Sequence, residues 1–490
     1  MSDDDQRRTV QGKEPPHPDM LETALLPADT IAGGLAPDSM QRSNGTAPFD
    51  RLVRFAAAHS PTGAPVPAPA NIPLPPRPTS ILETGLDVTL LEELALRHIT
   101  TGGVMTLGEV ADRLCLPLTG VVDDVVNGLR REALVEFQSS GGSIVGAASV
   151  RVRATDRGVQ LDQAARQRSG YIGPAPVSFN AYASMLRQQR AYITPASRSD
   201  VWRRLSHLVL ADDTVERIGA SIESGGPILL YGASGNGKTT IGQAIARMLS
   251  GGVLVPHAIE LDGLIMRVFD PGVHRRLTLE ASAPGIRLDE RWVYCAPPFM
   301  RAGSDVRMQE LGLHFNPQRR EYECPIQLKA AGGVLFIDDV GTQQQHGADD
   351  LLSRCLEPVA DGIDHLVTVT GHRVPVPFAW LLIAATDATP TQLLSERILR
   401  RFPCKVHLPG PSKDQYRELM RRACLEARLE CPPEGLEYLI ERCYRLPEFE
   451  PRACHATELV RLVIATARYF GIPPQFAPRL LDVATEMYFG

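Results

Sequence analysis

From residue 201 onward the apolar positions fall into two alternating patterns. Short unbroken apolar runs over 227–231, 331–337 and 380–386 have the length and composition of strands buried on both faces of a parallel sheet. Between them, apolar residues recur at three- and four-residue spacing, as in Ile241, Ala244, Ile245 and Met248, and predict helices over 241–249, 349–356 and 393–401. Beyond 411 the helical pattern runs alone, through four amphipathic segments. Strands alternating with helices predict an α/β core, a parallel sheet between helices, over 201–410, with an α-helical lid over 411–490.

The first half reads differently. Residues 1–80 lack sustained periodicity, and 61–80 hold eight prolines among small residues. That composition predicts a disordered tail ending in a semi-rigid, polyproline-like linker, with a short docking helix over 49–58 as its one helical stretch. Over 81–170 the pattern predicts helices at 88–96, 107–114 and 117–133, then β-capable segments at 134–137 and 149–152 around the Gly/Ser-rich 139–146. Three helices and a hairpin make a winged helix-turn-helix. Residues 171–200 read as a linker, with 171–177 a rigid spacer, and a helical region over 201–221 precedes the first core strand. Leu208 and Leu210 in that region could wall an adenine.

Charge narrows the roles open to the chain. A formal net charge of −6 on 490 residues gives no global attraction to nucleic acid or anionic membrane. Between 81 and 170 there are twelve Asp and Glu against nine Arg and no Lys, and the recognition helix of the winged module would carry Asp123 and Asp124. A groove-reading helix needs a basic face, so this module is expected to dock a protein or a neighbouring subunit, through whichever of Val121, Val125 and Leu129 stay exposed beyond the core, and not to bind DNA. No apolar run reaches the roughly 20 residues of a membrane span, the acidic start is unlike a secretory signal, and nine scattered cysteines fit free thiols in a reducing cytoplasm.

The candidate chemistry begins at 228–240, where an apolar run meets Gly232, Ala233, Ser234, Gly235, Asn236, Gly237, Lys238, Thr239 and Thr240. The glycines let successive backbone N–H groups point inward at a polyphosphate. Lys238 reaches the β- and γ-phosphates, the Thr239 hydroxyl ligates Mg²⁺, and the helix that starts here adds its positive end. A hundred residues on, the strand at 331–337 ends in Asp338, suited to the same metal, and Asp339, placed to polarise an attacking water. Asp387, with Thr386 as the alternate, ends the strand at 380–386 and can sense the γ-phosphate. Arg400 and Arg401 close the helix at 393–401, and Arg452 starts the third lid helix, pointing back toward the nucleotide.

Collected in this order, phosphate loop, acidic strand, polar strand end, arginine pair and helical lid resemble an AAA+ ATPase over 202–490. A hairpin at 366–376 just before the 380–386 strand resembles the pre-sensor-1 hairpin group that includes MoxR-like proteins. Segments 261–271, 336–341 and 452–459 resemble a bacterial family described as predicted ATPases with chaperone activity and linked to pilus or secretion loci. The resemblance implies Walker A residues Lys238 and Thr239, Walker B Asp338, sensor 1 Asp387, arginine finger Arg401 and sensor 2 Arg452. It implies cofactors ATP and Mg²⁺, a homo-oligomeric ring, hexameric in form, and a protein client to be remodelled. Two departures, Asp339 for the usual glutamate and Asp387 for the usual asparagine, imply slow hydrolysis. They keep open a nucleotide-gated scaffold or a transcription-type regulator that uses the winged module. The surplus at 260–324 reads as a pore- or partner-facing insertion, or as an elaborated surface loop, with exposed aromatics in 294–300.

Overall fold

The computed structural model describes residues 74–138, 146–192, 197–249, 251–278, 288–343, 347–446 and 449–490. Residues 1–73 of the expected tail, with its docking helix at 49–58, and the tip at 139–145 lie outside the described residues. The end of the expected linker is built in, with Pro76 bridged to Leu288 and the Pro75 carbonyl accepting the Asp289 N–H at 3.0 Å.

The first part holds helices Val88–Gly102, Leu107–Leu114 and Asp123–Arg131 and an antiparallel sheet ordered Val104–Thr106, Arg151–Ala154, Val135–Gln138. Thr106 and Glu109 form a reciprocal cap on the second helix, which fixes its start. The third helix is shorter than the sequence predicts, because Thr119 is extended and Gly120 turns with φ 82° before Asp123. Val121, Val122, Val125, Val126 and Leu129 are all buried, packed in one core with Leu91, Leu94 and Val152. The expectation of partner contact through Val121, Val125 and Leu129 is therefore corrected. The short helix spends its whole apolar stripe on its own core, and Asp124, Asn127 and Arg130 face solvent.

Of the stretch read as a spacer and linker at 171–200, residues 171–192 are built into the fold, and 193–196 lie outside the described residues. Tyr171 and Ala175 share the first core with Ala258 and Ile265. Buried Arg97 donates to the Tyr171 carbonyl at 2.7 Å and pairs with Asp162. Val177–Ser178 is a strand, and Phe179–Tyr192 is a helix whose Tyr182, Met185 and Leu186 are buried against 253–255 and 292–295. The described part of the surplus, 260–278 and 288–324, is likewise folded. It supplies most of a second five-stranded sheet, ordered His314–Asn316, Glu321–Glu323, Leu264–Arg267, Ala258–Leu261, Val177–Ser178. Its aromatics are not exposed: Trp292 and Tyr294 are buried and Phe299 is half-buried. The apolar alternation in this stretch is short and broken by prolines, so the sequence pattern could not show that three sheets share it, Trp292–Cys295 pairing with Val253–Pro256 and Phe299–Ala302 joining the central sheet.

The central sheet consists of β1 (Ile228–Tyr231), β2 (Phe299–Ala302), β3 (Val334–Ile337), β4 (Leu381–Thr386) and β5 (Cys404–His407). All are parallel, in the order β2-β3-β4-β1-β5. The register brings Tyr231, Thr386 and His407 level, and Ala302 level with Ile337, so the loops that leave these strands emerge along one edge. Helix α1 (Lys238–Met248) covers one face, and α2 (Ala348–Asp361) and α3 (Glu396–Arg401) the other. A Cβ on Gly242 would stand 2.4 Å from the Phe336 ring, so α1 lies as close on β3 as a glycine permits. A hairpin, Ile363–Val367 with Arg373–Pro377, leads into β4.

The chain ends in α4 (Lys413–Glu426), α5 (Pro433–Tyr444), α6 (Ala453–Tyr469) and α7 (Pro478–Phe489). They enclose their own core, with Tyr416, Met420, Leu439, Leu459, Val463 and Leu481 buried. Arg422 ties this bundle to the α/β part by donating to the Ser206 and His207 carbonyls at 3.1 and 2.8 Å.

Candidate functional site

The site gathers on the edge where the parallel strands end, the position that a crossover sheet leaves open for ligands. β1 stops at Tyr231, and the next residues turn through Gly232, Gly235 and Gly237, with φ of 144°, 84° and 82°. The last two are angles that L side chains rarely adopt. At Gly232 a Cβ would meet the Leu408 carbonyl at 2.2 Å, so that position too admits only glycine. Gly237 is the N-cap of α1, with no side chain satisfying the first-turn N–H groups. A helix start left uncapped after such a turn presents donors and a positive dipole end to an anion.

The side chains converge on the same place. Lys238 is buried, and its ammonium donates to the Gly232 and Ala233 carbonyls at 2.7 and 3.1 Å and pairs with Asp387 Oδ1 at 2.5 Å. Thr239 Oγ1 donates to Asp338 Oδ2 at 2.8 Å. Asp338 is 2% exposed, and its Oδ1 accepts the Asp339 N–H at 3.1 Å. Asp339 sits at φ 51°, a left-handed conformation that an aspartate tolerates and that turns the chain sharply after β3. Thr342 Oγ1 and Gln343 Nε2 both donate to the Asp339 carbonyl and hold that turn. Burial, then the charges of Asp338 and Asp387, raise the Asp339 carboxyl above its ordinary value. Thr386 does not face the site: its buried hydroxyl donates to the Val340 carbonyl at 3.0 Å, which leaves Asp387 as the polar group at the end of β4.

One site residue escaped the sequence reading. Arg301 on β2 donates from Nε to Asp338 Oδ2 at 2.9 Å, the same oxygen that accepts Thr239. Its signal was the short apolar pair Phe299 and Met300, which the sequence reading placed in the insertion and not in the central sheet.

The remaining expected residues divide. Ser234 and Thr240 are exposed at the rim of the loop. Asn236 is buried; its side chain donates to the Leu408 carbonyl at 3.3 Å and accepts from the Ala453 N–H at 3.4 Å. The Cys454 N–H donates to the Gly235 carbonyl at 3.0 Å, so the start of α6 is fastened to the phosphate loop. Arg452, the N-cap of α6, lies beside it: a Cβ on Gly235 would come 3.8 Å from the Arg452 Cβ. Arg400 and Arg401 are not brought to this site within the chain. Both are exposed at the end of α3, Arg400 stands 4.0 Å from Glu396, and the Arg401 side chain has no hydrogen bond or ion pair among the described residues.

The donor set fits a magnesium-bound polyphosphate. Thr239 and Asp338 offer hard oxygens 2.8 Å apart beside an uncapped helix start. Among the described residues no three His, Cys, Asp or Glu form a metal cage, and Mg²⁺ needs none where one or two carboxylates and the substrate's phosphates complete its shell. No helix among the described residues is long and apolar enough to cross a membrane.

Comparison with known proteins gives three findings. Residues 412–487 match a family model described as a domain of unknown function, DUF8689. No curated protein matches the chain. Solved structures similar to it include the RuvB Holliday junction branch migration motor of Thermotoga maritima, 16% identical, covering 57% of this chain and 70% of that one with a TM-score of 0.33. NtrX from Brucella abortus in complex with ATP is 15% identical, covering 76% of this chain and 72% of that one with a TM-score of 0.36. Likenesses of this size assign no family, and the reading of the site rests on the chain's own residues.

Proposed function

We propose that the protein is an AAA+ type ATPase that binds Mg-ATP at the loop 232–240 and hydrolyses it slowly. In this reading it acts in an oligomeric ring, to remodel or assemble a protein partner. The observation that carries the nucleotide site is the convergence of Lys238, Thr239, Asp338, Asp339 and Asp387 on one uncapped helix start. The loop N–H groups and Lys238 bind and orient the β- and γ-phosphates. Thr239 and Asp338 would hold Mg²⁺, which neutralises charge that develops on the phosphates. Asp339 takes the proton of the attacking water and, with its pKa raised by burial and then by the charges of Asp338 and Asp387, accepts it more readily than an ordinary aspartate. Arg452, at the start of α6, can follow the nucleotide through the bonds that the next two residues' N–H groups make, Ala453 to the Asn236 side chain and Cys454 to the Gly235 carbonyl, which makes the helical bundle a lid. Arg401, with Arg400 as second choice, is exposed and unengaged, as a finger acting on a neighbouring subunit's phosphate must be.

The MoxR-like hairpin assignment fits the two-stranded element before β4, and the first part, with three helices, a three-stranded sheet and a further helix, Asp156–Arg166, fits a winged helix. Its third helix carries Asp123 and Asp124 in the first turn and arginines, Arg130 and Arg131, only in the last, which favours protein over DNA as the partner. A second reading, a nucleotide-gated scaffold with little turnover, is favoured by one contact, the Lys238–Asp387 pair, which ties down the phosphate-binding ammonium.

Phosphate release and fluorescent-ATP binding by the purified protein test both readings. Lys238→Ala is expected to weaken ATP binding by at least about tenfold, from the loss of the closest side-chain cation. Binding as tight as wild type would remove the nucleotide-site assignment. Wild-type binding without phosphate release would select the scaffold.

A further inference from the structure

We infer that Arg301 is a latch on the metal-binding carboxylate, holding Asp338 in the nucleotide-free protein and releasing it when Mg²⁺ arrives. The inference rests on the nucleotide site proposed above. Asp338 Oδ2 is shared by two donors, Thr239 Oγ1 at 2.8 Å and Arg301 Nε at 2.9 Å. Those donors have different fates when a magnesium nucleotide binds. A threonine hydroxyl can ligate Mg²⁺ through its oxygen while still donating its proton to the carboxylate. A guanidinium has no acceptor and carries a fixed positive charge, so at this distance it competes with a divalent cation for the same oxygen.

The geometry suits a contact made to be broken. Asp338 is 2% exposed, so its charge needs a cation when no metal is present. The Arg301 side chain, by contrast, is 53% exposed and has open water to swing into. It holds Asp338 through Nε alone, and neither terminal nitrogen has a partner among the described residues. The strand placement sets its reach: Arg301 is level with Phe336 on β3, two residues before Asp338, so only the long arginine stem brings a charge to the strand end. Arg301 is therefore a positioning residue that sets how much Mg²⁺ the site demands.

The test is Mg²⁺ dependence of nucleotide binding, read by a fluorescent non-hydrolysable ATP analogue with wild type, Arg301→Gln and Arg301→Lys. Removing a unit charge a few ångströms from a divalent ion is expected to lower the half-saturating Mg²⁺ in Arg301→Gln by about tenfold. Arg301→Lys, which keeps the charge on a flexible stem, falls between them and serves if the glutamine variant folds poorly. In EDTA the glutamine variant gains no affinity, because the latch matters only when a metal competes. An unchanged or higher Mg²⁺ requirement in Arg301→Gln, or an equal gain with and without metal, overturns the latch. If folded wild type binds no analogue at any Mg²⁺ concentration, the nucleotide-site reading is what fails, and the latch falls with it.

Discussion

Asp387→Asn changes one atom in the most consequential contact of the site. The Lys238 ammonium sits 2.5 Å from Asp387 Oδ1 and is itself 6% exposed. A polyphosphate entering the loop must draw that ammonium away from the carboxylate and toward itself. At 2.5 Å, Coulomb's law gives about 7 kcal/mol at an effective dielectric of 20 and under about 2 kcal/mol in bulk water. Asp387 is 48% exposed, so water screens much of the attraction and about 1–3 kcal/mol is the working range. At 1.4 kcal/mol per decade, Asp387→Asn should bind ATP about 5- to 150-fold more tightly than wild type. The neutral amide adds a donor that the ionised carboxylate lacks. The same change should lower the melting temperature of the nucleotide-free protein, because Lys238 keeps only its two carbonyl partners, and raise the stabilisation gained on adding ATP. Anisotropy titration and thermal melts with and without ATP read both effects. Equal or weaker ATP binding by Asp387→Asn would refute the claim that this pair opposes the phosphate.

Two further outcomes follow from named contacts. Asp339 has its pKa raised in the folded chain, so the native state holds this proton more tightly than the unfolded one. Its contribution to stability is present at low pH and is lost as pH rises from the ordinary carboxylate value through the raised one. Single-turnover hydrolysis should accordingly lose activity on acidification at a pH above the ordinary aspartate value. Asp339→Asn should be more stable at neutral pH yet inactive, and an acid limb at or below the ordinary value would remove Asp339 as the base. Elsewhere, Arg291→Met strands the buried Asp289 carboxylate and removes donors to the Thr84 and Pro176 carbonyls at 2.9 and 3.0 Å. That should cost about 3–5 kcal/mol in urea unfolding, largely recovered by Asp289→Asn in the same chain; a loss under about 1 kcal/mol would show the pair is not holding this joint.

Local chemistry carried much of the site. The glycines at 232, 235 and 237 announce positive φ by type and spacing, and Lys238, Thr239, Asp338 and Asp387 follow apolar runs that can only be buried strands. Arg301 was invisible for the opposite reason. A strand of four residues with one arginine has no periodicity to detect, and only its parallel neighbour shows which end of the sheet it reaches.

The sequence by itself determined that a polyphosphate loop, an acidic strand end and a helical C-terminal part occur in this order, because each is a local pattern, a short motif or a helical period confined to its own segment. Only the tertiary structure decided what those pieces face. It buried Val121, Val125 and Leu129 in their own core and brought Val177–Ser178 beside strands from 258–267 and 314–323 in a second sheet. It also put Arg301 on the carboxylate that Thr239 shares, and set Asp387 against Lys238. These are contacts between residues as many as 149 positions apart, and no local pattern records them, since a side chain's partner across a sheet is chosen by strand order and register rather than by its neighbours in the chain.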